Sequence, residues 1–137
     1  MSYILDTNII SALINRSSER VTNKFRYLLV RSLMFISCVT YFEVKGGLLA
    51  KNATRKLEIF NELCSTKVGI LYLEDQKILD RASQIYAELK LAGTPVGTPD
   101  ILIAATAIER NLILVSHDRD MLRIRGAIVE DWLAPEE

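Results

Sequence analysis

Five short runs of consecutive apolar residues punctuate the chain, at Tyr3–Leu5, Leu33–Ile36, Ile70–Leu73, Leu112–Val115 and Ala127–Val129. None alternates apolar with polar residues, so each is expected to be a strand buried on both faces, as in a parallel sheet. Between these runs the hydrophobic period becomes helical. Ile78, Leu79, Ala82, Ile85, Tyr86 and Leu89 fall on one face of a helix predicted over 75–91. Ala53, Leu57, Phe60 and Cys64 mark a second such face, and Phe25, Leu28 and Leu29 a third. The stretch 101–108 is apolar nearly all round and predicts a helix deep in the interior. Gly93-Thr94-Pro95-Val96-Gly97 predicts a loop. Strands alternating with helices predict a three-layer α/β sandwich around a mostly parallel five-stranded sheet.

Composition agrees with that picture. At 137 residues, without linker, repeat or low-complexity tract, the expectation is one domain over 1–137. Half of the residues are hydrophobic, enough for a substantial core. Seventeen basic residues balance seventeen acidic ones, so net charge says nothing about a nucleic-acid partner. The apolar runs are far too short to span a membrane, and the N-terminus lacks the basic and apolar regions of a signal peptide. The cytoplasm is the expected compartment. Cys38 and Cys64 share no metal-binding or redox spacing and are expected to be buried free thiols.

The chemistry is carried by acids at the corners of this pattern. Asp6, Glu43, Asp100 and Asp118 each stand where a strand-like run gives way to a helix-like one. Each also has a structural explanation. Asp6 closes a strand, with Thr7 or Asn8 available to cap the next helix. Thr40-Tyr41-Phe42-Glu43 matches a capping box. Thr98 and Pro99 make a good helix start for Asp100, and Asp118 could cap the turn 119–122. In a parallel sheet, however, all four corners lie on one edge. Carboxylates gathered there repel one another unless a cation sits among them. A divalent metal with bound water points to phosphodiester hydrolysis. Glu58, Glu62, Asp80, Glu88 and Glu109 occupy helix bodies and are expected to face solvent. Asp120, two residues beyond Asp118, is an alternative fourth acid.

Several segments together carry a resemblance. They are Asp6-Thr7-Asn8, Glu43 with Gly47 in a Glu-x-x-x-Gly context, Pro99-Asp100-Ile101-Leu102-Ile103-Ala104-Ala105, Leu114-Val115-Ser116-His117-Asp118 and Val129-Glu130-Asp131-Trp132. In this order they resemble the PIN-domain ribonucleases, and most closely the VapC type, the toxin half of bacterial toxin–antitoxin pairs. The resemblance implies a Mg²⁺- or Mn²⁺-dependent endoribonuclease leaving 5′-phosphate and 3′-hydroxyl ends. It implies Asp6, Glu43, Asp100 and Asp118 as catalytic and metal-binding acids, with Thr7, Asn8, Ser116 and Asp120 as supporting residues. Met121 stands where relatives commonly have an aromatic, and the segment from Asp118 to Met121 is shorter than in many of them. The choice between Asp118 and Asp120 therefore stays open.

Further expectations follow from position. Lys45, Arg119, Arg123 and Arg125 could meet RNA phosphates, and His117 could contact substrate or move a proton. The resemblance also implies a homodimer and a cognate antitoxin whose C-terminal segment covers the site. Ile9, Ile10, Leu13, Phe25, Leu28 and Leu29 could form its groove, although most of them are expected to face the core. Other Mg²⁺ enzymes fit less well. Haloacid-dehalogenase-like phosphatases need an Asp where Asn8 stands, and receiver domains need an acidic pair before the first helix. No dinucleotide or P-loop motif occurs. The rival from a different class is a PIN-like interaction module that has lost cleavage.

Overall fold

A computed structural model describes residues 1–135. Five strands form one sheet: β1 (Ser2–Leu5), β2 (Leu33–Ser37), β3 (Gly69–Leu71), β4 (Ile113–Val115) and β5 (Val129–Glu130). Their order is β3-β2-β1-β4-β5 and every pairing is parallel. Six helices connect them: α1 (Thr7–Asn15), α2 (Glu19–Leu29), α3 (Cys38–Ala50), α4 (Thr54–Thr66), α5 (Gln76–Leu91) and α6 (Thr98–Glu109). A short 3₁₀ turn spans Arg119–Arg123. Among the described residues no helix is long and apolar enough to cross a membrane.

Strand geometry builds the three layers. Successive side chains point to opposite faces. Tyr3 and Leu5 of β1 therefore enter one core, with Phe25 of α2 and Phe60 and Leu63 of α4. Ile4 enters the other, with Ile78 and Ile85 of α5 and Ile103 of α6. β2 and β4 divide in the same way, Met34 and Ile113 to the first core and Phe35 and Leu114 to the second. Both sheet faces are covered, which is why no strand alternates in polarity. α6 is buried nearly all round, as its composition predicts.

Some local expectations are corrected. β5 lies at Val129–Glu130 rather than 127–129, and β3 ends at Leu71 rather than Leu73. Leu79 and Tyr86 sit at the margin of the apolar stripe of α5 and are 44% and 51% exposed. Cys38 and Cys64 are free but only half-buried. The capping box at Thr40 does not form. Ser37 caps α3 by accepting from the Val39 N–H at 3.1 Å, so the helix starts three residues earlier. Thr40 is left buried inside it with its hydroxyl unpartnered. Gly97, not Thr98, is the N-cap of α6.

α3 also carries Gly46 and Gly47 in its body. A Cβ at either would meet nothing within 4 Å. Each glycine costs the helix about 1 kcal/mol relative to alanine.

Candidate metal centre

The strand order places β1 at the centre and makes the gap between β1 and β4 the point where the chain's winding reverses. Open α/β sheets hold ligands there, beyond the carboxyl ends of the strands. Asp6 follows β1 and Ser116 follows β4, and the two meet. The Ser116 hydroxyl donates to Asp6 Oδ2 at 2.7 Å, in a contact closed to solvent. The Ser116 Oγ in turn accepts from the Asp118 N–H at 3.0 Å. One buried hydroxyl thus fixes two of the acids.

Asp6 is itself the N-cap of α1, accepting from the Thr7 N–H at 2.8 Å. Neither Thr7 nor Asn8 caps the helix. Each instead ties α1 to a neighbour. The Thr7 hydroxyl donates to Glu43 Oε1 at 3.2 Å, and the His117 N–H donates to Asn8 Oδ1 at 3.2 Å. Glu43 lies in the second turn of α3, not at its start, and still reaches the edge through Thr7. Asp100 follows no strand, since the loop after α5 leads directly into α6. It stands in the first turn of α6, where the helix dipole favours a negative charge. Asp118 caps the 3₁₀ turn by accepting from the Asp120 N–H at 2.9 Å. Asp120 turns to Arg123 in an ion pair.

The electrostatics show how close this gathering is. Burial, and then the carboxylates of Asp6, Asp118, Glu43 and Asp120 in that order, push Asp100 up to about 6. Asp6 is only 3% exposed. Burial raises it, the Ser116 and Thr7 hydrogen bonds pull it back, and Asp118 raises it again. Asp118 acts more strongly on Asp100 than Asp120 does, and it also raises Asp6.

A hard divalent cation fits this donor set. All the donors are oxygens, and they repel one another without a positive charge between them. Among the described residues no three His, Cys, Asp or Glu side chains stand ready to hold an ion. Mg²⁺ keeps several of its waters, so one or two direct carboxylates suffice.

Among the described residues, none of the expected cations makes a hydrogen bond or ion pair with Asp6, Glu43, Asp100 or Asp118. Lys45 is two residues past Glu43, which turns it to another side of α3. Its ammonium donates to the Tyr41 hydroxyl at 2.9 Å and lies 5.2 Å from that ring's centre. Arg123 is engaged by Asp120, whereas Arg119 and Arg125 are exposed near the 3₁₀ turn. His117 Nδ1 meets Asp131 Oδ2 at 2.9 Å, and the other Asp131 oxygen accepts from the Leu133 and Ala134 N–H groups. That pairing spans 14 residues and had no local sequence signal. A second hollow, of about 360 Å³, opens between α1, α2 and α4. Leu13, Phe25, Leu29 and Ile59 line it, together with four basic residues, Arg16, Arg26, Arg55 and Lys67, and one acid, Glu62. Of the residues expected there, Ile9 and Ile10 are wholly in the core.

Residues 3–127 match the family model described as the PIN domain. The chain belongs to the PIN-domain family, in its VapC group. This PIN domain is 31% identical over 134 residues to Ribonuclease VapC1 of Haemophilus influenzae (strain R2866), covering 96% of this chain and 98% of that one. It is 32% identical over 133 residues to the tRNA(fMet)-specific endonuclease VapC of Salmonella typhimurium, with the same coverage. Among solved structures, the DNA-bound VapBC of Salmonella typhimurium superposes with a TM-score of 0.85 at 32% identity, covering 96% of this chain and 98% of that one. VapBC2 of Rickettsia felis, bound to a promoter DNA fragment, gives a TM-score of 0.84 at 29% identity, covering 96% of this chain and 99% of that one.

Proposed function

We propose that this PIN domain is a Mg²⁺- or Mn²⁺-dependent endoribonuclease and the toxin of a toxin–antitoxin pair. One observation carries the reading: Ser116 ties Asp6 to Asp118 and Thr7 brings in Glu43 at the carboxyl edge of the sheet, where burial and these neighbouring carboxylates push Asp100 up. A fold without a use for a cation would gain by replacing one of them.

Asp6, Asp100 and Asp118 are the residues that would hold the ion. Bound among them, it would acidify a water and offset charge on the scissile phosphate. Ser116 keeps Asp6 in place, and its own lone pair keeps the Asp118 backbone in place. Glu43 is exposed, and Thr7 engages one of its oxygens. That leaves the second carboxylate oxygen to orient a water at the phosphate. Arg119 and Arg125 are free to meet the RNA strand at the rim.

The hollow between α1, α2 and α4 suits the antitoxin. Its apolar wall and basic rim match a segment with hydrophobic anchors and acidic flanks. The setting is the cytoplasm, and the expected form outside the antitoxin complex is a homodimer.

The test is incubation of the purified protein with total RNA, which contains the tRNA class named for the Salmonella typhimurium relative. Cleavage is expected with Mg²⁺ or Mn²⁺, none with chelator, and none by Asp6→Asn. Absence of cleavage with either metal, or equal cleavage by Asp6→Asn, refutes the reading.

A further inference from the structure

Two rows of side chains run beside each other away from the acid edge. On α1 the row is Thr7, Ser11 and Asn15, and on α3 it is Glu43, Gly47 and Lys51, the residue that ends the helix. Each row is spaced by four residues and so keeps to one helix face. The Thr7–Glu43 hydrogen bond joins the rows at the acid end. Between them lies a groove of about 210 Å³, and Lys56 of α4 joins Lys51 among its walls. Both helices start at the carboxyl edge, so the groove leads from the carboxylates down the flank. From Glu43 to Lys51 it extends about 12 Å along α3.

Gly47 stands at its middle. It does not have a positive φ, and a side chain there would meet nothing within 4 Å. Neither the backbone nor the packing of this chain requires glycine, and the helix would be more stable without it. Unlike Gly46, which shares these features, Gly47 lines the groove, and its missing side chain leaves the backbone there open to close approach.

We propose that this groove binds the backbone of single-stranded RNA next to the cleavage point. Phosphates lie at the Lys51 and Lys56 ammonium groups, with Ser11 and Asn15 as neutral hydrogen-bond partners. The proposal rests on the nuclease reading above and adds a path for its substrate. The charges are ordered as a polyanion would need. One phosphate goes to the acid end with its cation, and those that follow go to the lysines. Ile14, Val44 and Leu48 also line this groove, but it has no aromatic anchor point like Phe25 of the other groove, and its hydroxyl, amide and ammonium groups suit a sugar–phosphate backbone.

The experiment is fluorescence anisotropy with a short, random-sequence, single-stranded RNA pool labelled with fluorescein. It is run over a salt series, in an Asp100→Asn background so that the RNA stays intact. Lys51→Ala and Lys56→Ala should each shallow the slope of log affinity against log salt by roughly 0.7. Gly47→Leu should weaken binding by about tenfold or more and melt no lower than its parent. Gly46→Ala, one step round the helix and outside the groove, should bind RNA as its parent does. Cleavage of total RNA by the wild type is measured in parallel. If cleavage holds and the two lysine variants and Gly47→Leu keep parental affinity and slope, the groove belongs to a protein. The RNA path is then overturned while the nuclease stands. If Gly47→Leu alone weakens binding and also changes oligomeric state in sedimentation, the glycine serves a contact between copies, which overturns it too. A wild type that neither binds nor cleaves RNA ends both proposals.

Discussion

Replacing Asp100 by asparagine should stabilise the metal-free protein while abolishing its activity. The substitution keeps the side chain's shape and removes its charge. Burial and four neighbouring carboxylates raise Asp100 from 3.8 to about 6. At about 1.4 kcal/mol per tenfold in proton affinity, this amounts to about 3 kcal/mol at pH 7. The side chain is only half-buried, and water and salt screen part of that, leaving about 1–2 kcal/mol. For a chain of this size the melting temperature should rise by about 3–8 °C. The sign with pH follows from the direction of the shift. A raised folded value means that the wild type binds the proton more tightly when folded. Its disadvantage is absent below about 4, where the group is protonated in both states, and grows as pH rises through about 6. The two proteins should therefore melt together in acid and separate toward neutral pH. Metal should reverse the order. Mn²⁺ at a hundred times its Kd would stabilise the wild type by about 2.7 kcal/mol, and the variant by much less. The assay is thermal melting in chelator and in Mn²⁺ across pH 4–8. An Asp100→Asn protein that melts at or below the wild type in chelator at neutral pH would refute the reasoning, because the carboxylate would then have a favourable partner inside the fold.

Three other outcomes are expected. Ser116→Ala removes the hydroxyl that joins Asp6 to Asp118. It should cost about 1.5–3 kcal/mol in chemical denaturation and lower the cleavage rate with little change in KM, whereas unchanged stability would mean that the link is dispensable. Phe60→Ala empties a fully buried site between α4 and the sheet. It should cost about 3–5 kcal/mol, and a loss below about 1 kcal/mol would contradict that packing. Gly46→Ala meets no neighbour and should stabilise α3 by up to about 1 kcal/mol in urea titration. Destabilisation there would mean that the face is occupied.

How much of this was legible beforehand varied with the distance over which each feature is decided. The strand at Tyr3–Leu5 and the buried helix after Asp100 could be read directly, because burial on both faces writes itself as unbroken hydrophobicity. The acids could be listed because each stands beside an apolar run, although Asp100 follows a loop rather than a strand. Local competition was harder to read. Ser37 and Thr40 both can cap a helix, and Ser37, the last residue of β2, takes the role by accepting from the Val39 N–H. That moved Glu43 from a helix start into the second turn.

Hydrophobic periodicity and the order of segments thus determined the layers and the parallel sheet, since those depend on each residue's affinity for water and on near neighbours. Distance in space decided the rest. Ser116 finds Asp6 across 110 residues, and His117 finds Asp131 across 14. Lys45, close to Glu43 in the chain, turns away, while Lys51 and Lys56 come to line the groove that begins at Glu43. A pairing of side chains from different elements leaves no period in the sequence, because it exists only once the sheet has fixed which strand ends are neighbours.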